Sequence, residues 1–271
     1  MKILGKIFAV LSFVFLYIPL IVMIVFSFNS TRSTSVMKGF SLQWYSGLFD
    51  NSSIMISFRN TIILAVLSSV IAVILGTLAS VGLYYLKNKF TKKALMTLTN
   101  IPMMNPDIVT GFSMMLLFTF IAGLIGMNTA LGFPTMLIAH ITFSLPYVIL
   151  NVKPSLDSTD VFLQDAAEDL GCNKIQAFFK VIFPCIRSGI ISGFIMAFTL
   201  SLDDFVITYF TSGTDFQTLP LYIYSMKRGI RPNVYALYSL IFVSVLILLV
   251  LSNYFKSKSI KSNKQKEKIE I

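Results

Sequence analysis

The chain is apolar over long continuous stretches that are separated by shorter polar segments. Six stretches approach or exceed the length of about 20 residues that a helix needs to cross a hydrocarbon core. They lie at about 7–28, 61–86, 98–123, 133–151, 188–210 and 234–255. Transmembrane barrel strands alternate in polarity, whereas Ile7–Phe28 is apolar on every face, so the pattern predicts helices rather than strands.

The predicted fold class is therefore an all-α integral membrane protein with six transmembrane helices. The composition agrees, because 55% hydrophobic and 13% charged residues are too apolar for a soluble domain of 271 residues. The N-terminus begins like a signal peptide, but its apolar run is too long and no small-residue cleavage site follows, so we expect a retained first helix. We predict one transmembrane domain over about 1–255 and a basic tail over about 256–271.

The net charge of +10 is explained by topology rather than by nucleic-acid binding. If the N-terminus is cytoplasmic, 16 of the 22 Lys and Arg residues lie inside and 6 outside, as the positive-inside rule expects. We therefore predict that both termini are cytoplasmic. The partner expected for the apolar spans is the lipid bilayer, and no nucleic acid is expected. The two cysteines, Cys172 and Cys185, both fall in a predicted cytoplasmic loop, so neither a disulfide nor a metal cluster is expected.

That cytoplasmic loop, at about 152–187, carries the densest run of carboxylates in the chain, in the segment QDAAEDLGCNKIQAFFKVIFP. Ser158 or Thr159 is a candidate N-cap for a helix, and Gly171 is placed to end it in a left-handed conformation. Asn173 can then cap a second helix, with Pro184 marking the next change of direction. The loop is predicted to be a helix-turn-helix hairpin.

The first helix of this hairpin presents two adjoining faces. Asp165, Glu168 and Asp169 follow helical spacing and form an acidic face, and next to them lies a small apolar face of Ala166, Ala167 and Leu170. Small residues let another surface approach the backbone closely, and acids suit a basic partner. Spacing alone leaves two interpretations open, a docking helix and a solvated connector.

The same residues resemble a family motif. Asp165-Ala166-Ala167, then Gly171, then Val181-Ile182-Phe183-Pro184, is similar to the EAA loop, EAA-x3-G-x9-I-x-L-P, of type I ABC-importer permeases. The spacing agrees throughout. Three positions depart from the motif, namely Asp165, Val181 and Phe183, and each keeps the charge or the apolar character of the family residue.

Further segments resemble the permeases of spermidine/putrescine transport systems. These are FSLQWYSGLFDN, SLPYVI, SLDDFVITYF and TLPLYIYSMKRGIRPNVYAL. The resemblance implies a permease fold with a cytoplasmic coupling helix, in a bacterial inner membrane. It also implies a heterodimer with a companion permease, two cytoplasmic ATPase subunits and an extracytoplasmic solute-binding protein. The residues it assigns to ATPase coupling are Asp165, Ala166, Ala167, Glu168, Gly171 and Pro184.

The chain has no GxxxxGK[ST] motif for cradling ATP phosphates, so energy must come from a partner. We expect no catalytic residue, cofactor or metal in this chain. By the resemblance, ATP and Mg²⁺ are bound by the separate ATPase, and the permease pair alternates access to a central cavity.

Ionisable residues inside predicted spans are the candidates for the substrate path, because each costs about 2.5–3.5 kcal/mol on insertion scales. They are Asp107, Asp203 and Asp204, and all three are acidic, which favours a cationic solute such as a polyamine. Tyr147 and Tyr209 could add cation–π attraction. Adjacent helical residues point about 100° apart, so one of Asp203 and Asp204 is expected to cap a helix break or to bond a neighbouring helix. Asp107, after Asn105-Pro106, has an N-cap role as its alternative.

Two long external loops are the predicted docking surface for the binding protein. The candidates are Trp44, Tyr45, Phe49, Tyr222 and Arg228. The aromatic residues of the first loop suit a short helix at the outer interface. Of the other polar features, His140 is expected to be a satisfied buried side chain, and Gly189 and Gly193 form a GxxxG pattern for close helix packing.

Three alternatives to a polyamine permease are considered. The chain could be an ABC-importer permease for another small solute, or a non-transporting scaffold, which would have no need of intramembrane Asp residues. It could also be an intramembrane hydrolase in which Ser144 or Ser201 pairs with His140. The hydrolase is disfavoured because no nucleophile lies at a helical spacing that would orient it toward the histidine.

Overall fold

The computed structural model describes residues 2–31, 36–127, 131–160, 162–226, 232–244 and 246–247. Over these ranges the chain is helical, apart from turns and one isolated antiparallel bridge between Asn29 and Phe40. The helices are α1 (Lys2–Ser27), α2 (Gln43–Asp50), α3 (Ser52–Tyr85), α4 (Lys89–Met104), α5 (Asp107–Ile125), α6 (Phe133–Asp157), α7 (Phe162–Asp169), α8 (Lys174–Ala177), α9 (Phe183–Asp203), α10 (Val206–Thr211), α11 (Leu219–Tyr224) and α12 (Pro232–Ser244). The prediction of an all-helical protein is confirmed for this part of the chain.

Five helical segments of the described chain are long and apolar enough to cross a membrane. They are Gly5–Ser27, Ser52–Tyr85, Asp107–Ile125, Phe133–Asp157 and Lys174–Asp203. Helix α12 is apolar but shorter, and most of the rest of the predicted span at 234–255 lies outside the described residues, as does the tail at 256–271. The sixth span therefore stays a prediction.

The described residues separate into two compact units. One comprises residues 1–55 together with 223–271, and the other comprises residues 56–222. The second unit has an apolar core in which α6 and α9 pack along each other, with Val148, Val152 and Leu156 facing Ile186 and Ala197. This pairing of α6 with α9 positions both the helical hairpin that follows α6 and the polar residues of the spans.

Small residues allow α6 to approach its neighbours closely. Gly189 and Gly193 are both buried, and a Cβ atom added to Gly189 would lie 2.8 Å from the carbonyl oxygen of Asn151. A Cβ atom on Gly76 of α3 would likewise lie 2.6 Å from Cγ1 of Val148 on α6. The predicted packing role of the GxxxG pattern is confirmed, since backbones in membrane proteins associate through such small residues.

The predicted span at 98–123 is divided in the structure. Helix α4 ends at Met104, Asn105 is extended with φ −76° and ψ 140°, and α5 starts at Asp107. The cause is Pro106, because a residue before proline is disfavoured in helical conformation and proline offers no backbone N–H. Asp107 is the first residue of α5 and Pro106 holds the N-cap position, so the N-cap alternative for Asp107 is wrong.

Pro184 does not change the direction of the chain, as the sequence had suggested. The helix runs on from Lys174 to Asp203 through a π-helical turn at Phe178–Ile182, and Pro184 lies in the first turn of α9. The N–H of Phe183 bonds the carbonyl of Phe178, five residues earlier. This wider turn accommodates a proline, which has no N–H to continue the α-helical ladder, without a break in the helix.

We predict that Gly189→Ala destabilises the purified full chain, because its new methyl group would meet the Ser155 side chain and also the backbone oxygen of Asn151 at 2.8 Å, which cannot rotate away as a side chain can. Overpacking of this kind costs about 1–3 kcal/mol, so the apparent melting temperature in detergent should fall. Gly82→Ala is the matched control, since nothing lies within 4 Å of a Cβ atom at that helical position. Equal melting temperatures for the two variants would contradict the packing described here.

Candidate functional site

The predicted helix-turn-helix hairpin forms, although its first cap differs from the expected one. The Oδ1 atom of Asp160 accepts a hydrogen bond of 3.0 Å from the N–H of Phe162, the first residue of α7. The hydroxyls of Ser158 and Thr159 instead donate to the carbonyl of Ser155. Helix α6 extends to Asp157, further than predicted, so these hydroxyls serve the unpaired carbonyls at its end.

The turn between α7 and α8 is built as the sequence predicted. Gly171 adopts φ +88°, and the N–H of Cys172 bonds the carbonyl of Ala167 at 3.0 Å across it. Such a left-handed residue suits glycine because it carries no Cβ. Asn173 then caps α8, where its side chain accepts from the N–H of Gln176 and the side chain of Gln176 accepts in return.

Helix α7 exposes one strip of side chains and buries another. The exposed strip consists of Phe162, Asp165, Ala166 and Asp169 with Leu170 just after the helix, and beside it Leu163 is 38% exposed. Leu170 is 88% exposed, whereas Ala167 is 6% exposed on the side where α7 packs on α8 and the π-helical turn. The prediction that Ala166 and Ala167 share one face is therefore wrong. Neighbouring helical residues point about 100° apart, so one is exposed and the other is buried. We call the exposed set the α7 strip.

Glu168 is held by side-chain hydrogen bonds that involve Gln164 and Tyr85, neither of which was predicted from the sequence. The side-chain amide of Gln164 donates to Glu168 Oε1 at 2.8 Å, and the hydroxyl of Tyr85 donates to Gln164 Oε1. Gln164 and Glu168 are four residues apart on α7, a spacing that permits this bond. Tyr85 is the last residue of α3, so these bonds connect α7 to the end of a span.

The structure separates the two adjacent acids of the fifth predicted span. Helix α9 ends at Asp203, Asp204 is extended with ψ 125°, and α10 begins at Val206. The carboxylate of Asp204 accepts from the N–H of Ile207 at 3.2 Å and of Thr208 at 2.8 Å, so it caps α10. The side chain of Asp204 is 7% exposed, whereas Asp203 is an exposed residue.

His140 is buried and bonded through both ring nitrogens, as the sequence predicted. Nδ1 lies 2.7 Å from Oγ of Ser201, and Nε2 lies 3.0 Å from Oγ1 of Thr208 and 3.4 Å from Oδ2 of Asp204. Ser201 also accepts from Ser68 of α3 at 2.9 Å. Ser68 and Thr208 gave no signal in sequence, because ordinary hydroxyl residues in apolar helices are recognised only once their partners are known.

The sequence argument that no nucleophile lies at a helical spacing from the histidine is wrong, because Ser144 follows His140 by four residues on α6. Ser201 of α9 also lies against His140. Helix packing, rather than spacing along one helix, brings the two together. The arrangement is nevertheless enclosed, since Ser201 is 2% exposed and the carboxylate of Asp204 is engaged as a helix cap. Ser144, the other candidate nucleophile, is buried with no hydrogen-bond partner for its Oγ in the described part of the chain. The geometry fits a helix-joining network rather than an accessible hydrolytic site.

The remaining path candidates lie on several helices. Asp107 is exposed at the start of α5, and one turn later Gly111 packs against the backbone of α10. Tyr209 of α10 is 49% exposed and its ring contacts Phe205 at a centroid distance of 5.7 Å. Tyr147 of α6 is half-buried against Phe143. A shallow, mainly apolar groove of about 250 Å³ between the α4–α5 break and α6 is lined by none of the predicted path residues.

The aromatic residues predicted to dock a binding protein lie partly in internal contacts. Trp44 and Tyr45 lie on α2, the short helix that the sequence predicted. The indole N–H of Trp44 donates to the carbonyl of Asn29 at 2.5 Å, and the hydroxyl of Tyr45 lies 2.7 Å from Ser27 Oγ and 2.8 Å from Ser239 Oγ. These polar atoms hold the first unit together.

The other docking candidates are less fully described. Phe49 belongs to α2, and Tyr222 is half-buried on α11. Arg228 lies outside the described residues. Among the residues that the structure does describe, no group of three His, Cys, Asp or Glu side chains is placed to hold a metal ion.

Comparison with known proteins identifies relatives over almost the whole chain. The chain is 37% identical over 253 residues to the spermidine/putrescine transport system permease protein PotC of Escherichia coli (strain K12), covering 93% of each protein. It is 35% identical over 250 residues to the putrescine transport system permease protein PotI of the same strain, covering 92% of this chain and 89% of the relative. The resemblance read from the motifs is therefore confirmed.

A solved structure shows the same fold. It is a bacterial alginate ABC transporter in complex with an alginate pentasaccharide-bound periplasmic protein, with a TM-score of 0.71 and 14% identity, covering 93% of both chains. An identity this low supports the shared fold alone. Residues 70–259 match the family described as the binding-protein-dependent transport system inner membrane component. With this match and several membrane-spanning helices, the chain belongs to that family of multi-pass inner-membrane transport permeases.

Proposed function

We propose that this chain is one of two permease subunits of a type I ABC importer for polyamines such as spermidine and putrescine. The observation that carries the proposal is the similarity, over about nine-tenths of the chain, to permeases named for these solutes. The charge of the spans agrees with it. Asp203 is an exposed carboxylate at a helix break in an apolar segment, and such a group attracts a cation.

The proposed assembly contains a second permease because one chain of this size cannot enclose a translocation cavity by itself. Six helices, counting one at 234–255, enclose only half of a cavity, so a companion permease completes it. We assign ATP and Mg²⁺ to two cytoplasmic ATPase subunits, and both termini of this chain to the cytoplasm. An extracytoplasmic binding protein delivers the solute to the external loops, and the periplasmic protein in the alginate complex supports that arrangement.

The α7 strip is the proposed contact with the ATPase. Its apolar members Phe162 and Leu170 are 71% and 88% exposed, and Asp165 and Asp169 lie between them. An exposed surface that carries both apolar and acidic side chains would fit a cleft of the ATPase that is apolar and carries basic residues. Within this group Ala166 permits close approach, whereas Ala167 and Gly171 shape the hairpin from inside.

We expect ATP hydrolysis by the complete complex to respond to polyamines. This chain would be reconstituted in nanodiscs with its companion permease, ATPase and binding protein. Hydrolysis would then be measured with spermidine, with putrescine, with a neutral amino acid and without solute. The proposal predicts stimulation by the polyamines alone. Stimulation by another solute, or an intact complex that is indifferent to both polyamines, would favour the second candidate, an ABC permease for a different small molecule.

The α7 strip gives a second expectation. Ala166→Trp should lower polyamine-stimulated hydrolysis about fivefold or more, because a large side chain at the contact disrupts close packing at a cost of about 1–3 kcal/mol. Ala166→Ser is the matched control and should retain near-normal stimulation. The variant complexes would be compared at equal permease content, with melting temperature as the check on folding. Normal coupling in the tryptophan variant would show that this strip does not face the ATPase.

The path assignment gives a third expectation. Asp203→Asn should raise the KM for spermidine uptake by about tenfold or more, because a hydrogen bond to a charged group is worth about 1.5–3 kcal/mol. Asp215→Asn is the matched control, since Asp215 is an exposed acid outside the helices and accepts a hydrogen bond from its neighbour Thr214. Uptake into proteoliposomes containing the complete complex measures both. An unchanged KM for Asp203→Asn would remove that residue from the path.

A further inference from the structure

The polar side chains around His140 form a chain of hydrogen bonds whose direction can be deduced. Thr208 has one hydroxyl hydrogen, and its Oγ1 donates to Oδ2 of Asp204 at 2.9 Å. The contact of 3.0 Å between Thr208 Oγ1 and His140 Nε2 therefore requires Nε2 to be the donor. His140 then carries its hydrogen on Nε2, which is the nitrogen facing the carboxylate.

The other side of the imidazole continues the chain in the same direction. In the neutral ring with hydrogen on Nε2, Nδ1 is an acceptor, so the Ser201 hydroxyl donates to it at 2.7 Å. Ser201 Oγ in turn accepts from Ser68 Oγ at 2.9 Å. In this series each hydroxyl or ring N–H donates to the next side chain, and the last acceptor is the carboxylate. We call these five side chains the α3–α10 chain: Ser68, Ser201, His140, Thr208 and Asp204.

The α3–α10 chain is buried, and at its first member the backbone carbonyl of Ala65 lies 3.3 Å from Ser68 Oγ as a second, longer acceptor. Ser68 and Thr208 are fully buried, and His140 and Ser201 are 1% and 2% exposed. In such an environment an unpaired polar group is costly, so every link depends on its neighbours being present. The participating residues come from α3, α6, α9, the α9–α10 break and α10, so the chain fixes that break relative to three long helices.

We infer that the α3–α10 chain is a positioning device for Asp203. Its bonds, together with those from the N–H groups of Ile207 and Thr208, hold the carboxylate of Asp204 inside the protein. They also fix Asp204 in its extended conformation, which ends α9 at Asp203 and leaves Asp203 exposed. Of two adjacent acids, Asp203 presents its charge to the solute, and Asp204 sets where that charge lies. The inference rests on the proposed transport of a cation past Asp203.

The hydrogen-bond direction can be tested without transport. His140 is the only histidine in the chain, so full-length protein purified through a histidine-free tag and labelled with ¹⁵N-histidine gives one assignable imidazole. Solid-state NMR of this protein in nanodiscs should show a protonated Nε2 and a hydrogen-bonded, unprotonated Nδ1. Thr208→Val should shift the Nε2 resonance, whereas Thr208→Ser should preserve it. A ring protonated at Nδ1 in the wild-type protein would overturn the deduced direction.

The positioning role is tested by combining variants in the uptake assay. Thr208→Val should raise the KM for spermidine about tenfold, which corresponds to loss of one hydrogen bond, and Thr208→Ser should restore it. If the chain acts through Asp203, the double variant Asp203→Asn with Thr208→Val should have the KM of Asp203→Asn alone. Multiplication of the two effects, or a fall in Vmax with unchanged KM in Thr208→Val, would overturn positioning.

The same set of variants separates failure of the inference from failure of the proposed path. An unchanged KM in Asp203→Asn overturns the assignment of Asp203 to the path, and the positioning inference with it. A raised KM in Asp203→Asn combined with multiplied effects in the double variant overturns positioning alone. If Thr208→Val does not assemble, Ser201→Ala, which removes the hydroxyl bonded to Nδ1 of His140, takes its place in the double variant with Asp203→Asn.

Discussion

The structure depends on one constraint, which is that a polar group in a hydrocarbon environment must find its partner within the protein. The long helices meet it by bonding their own backbones. The break after α9 cannot, because it frees the N–H groups of α10, and the carboxylate of Asp204 bonds two of them. The buried charge of Asp204 is in turn accommodated by Thr208 and His140. The break after α9 therefore depends on the Asp204 carboxylate that bonds its N–H groups, and that carboxylate depends on the buried imidazole of His140.

The same constraint explains why proline and small residues have different consequences along the chain. Pro106 ends a helix, because Asn105 turns to an extended conformation, whereas Pro184 is absorbed by a π-helical turn and the span continues to the hairpin. Gly189 and Gly193 let α6 and α9 approach closely enough for the polar residues of neighbouring helices to meet. The continuous helix from Lys174 to Asp203 then connects the α7–α8 hairpin at one end with the α9–α10 break at the other.

Hydropathy and motif spacing were sufficient to predict the helical class, the hairpin, its Gly171 turn and the Asn173 cap. They succeeded because these features depend on local spacing and on conformations special to glycine or asparagine. Which of Asp203 and Asp204 is buried could not be predicted, since it depends on Ser68, His140 and Thr208 from other helices. The prediction that Ala167 lies on an exposed face was wrong for a similar reason. Its burial is decided by packing on α8 and the π-helical turn.

The central claim is that Asp203 and Asp204 have different roles, one toward the solute and one toward the protein. It is tested most directly by a cryo-electron microscopy structure of the complete complex, trapped with spermidine in the cavity between the permeases. The account predicts an ammonium group within about 3 Å of the Asp203 carboxylate, with Asp204 still bonded to Thr208 and His140. A structure in which Asp204 leaves these partners to bind the ammonium group would contradict it.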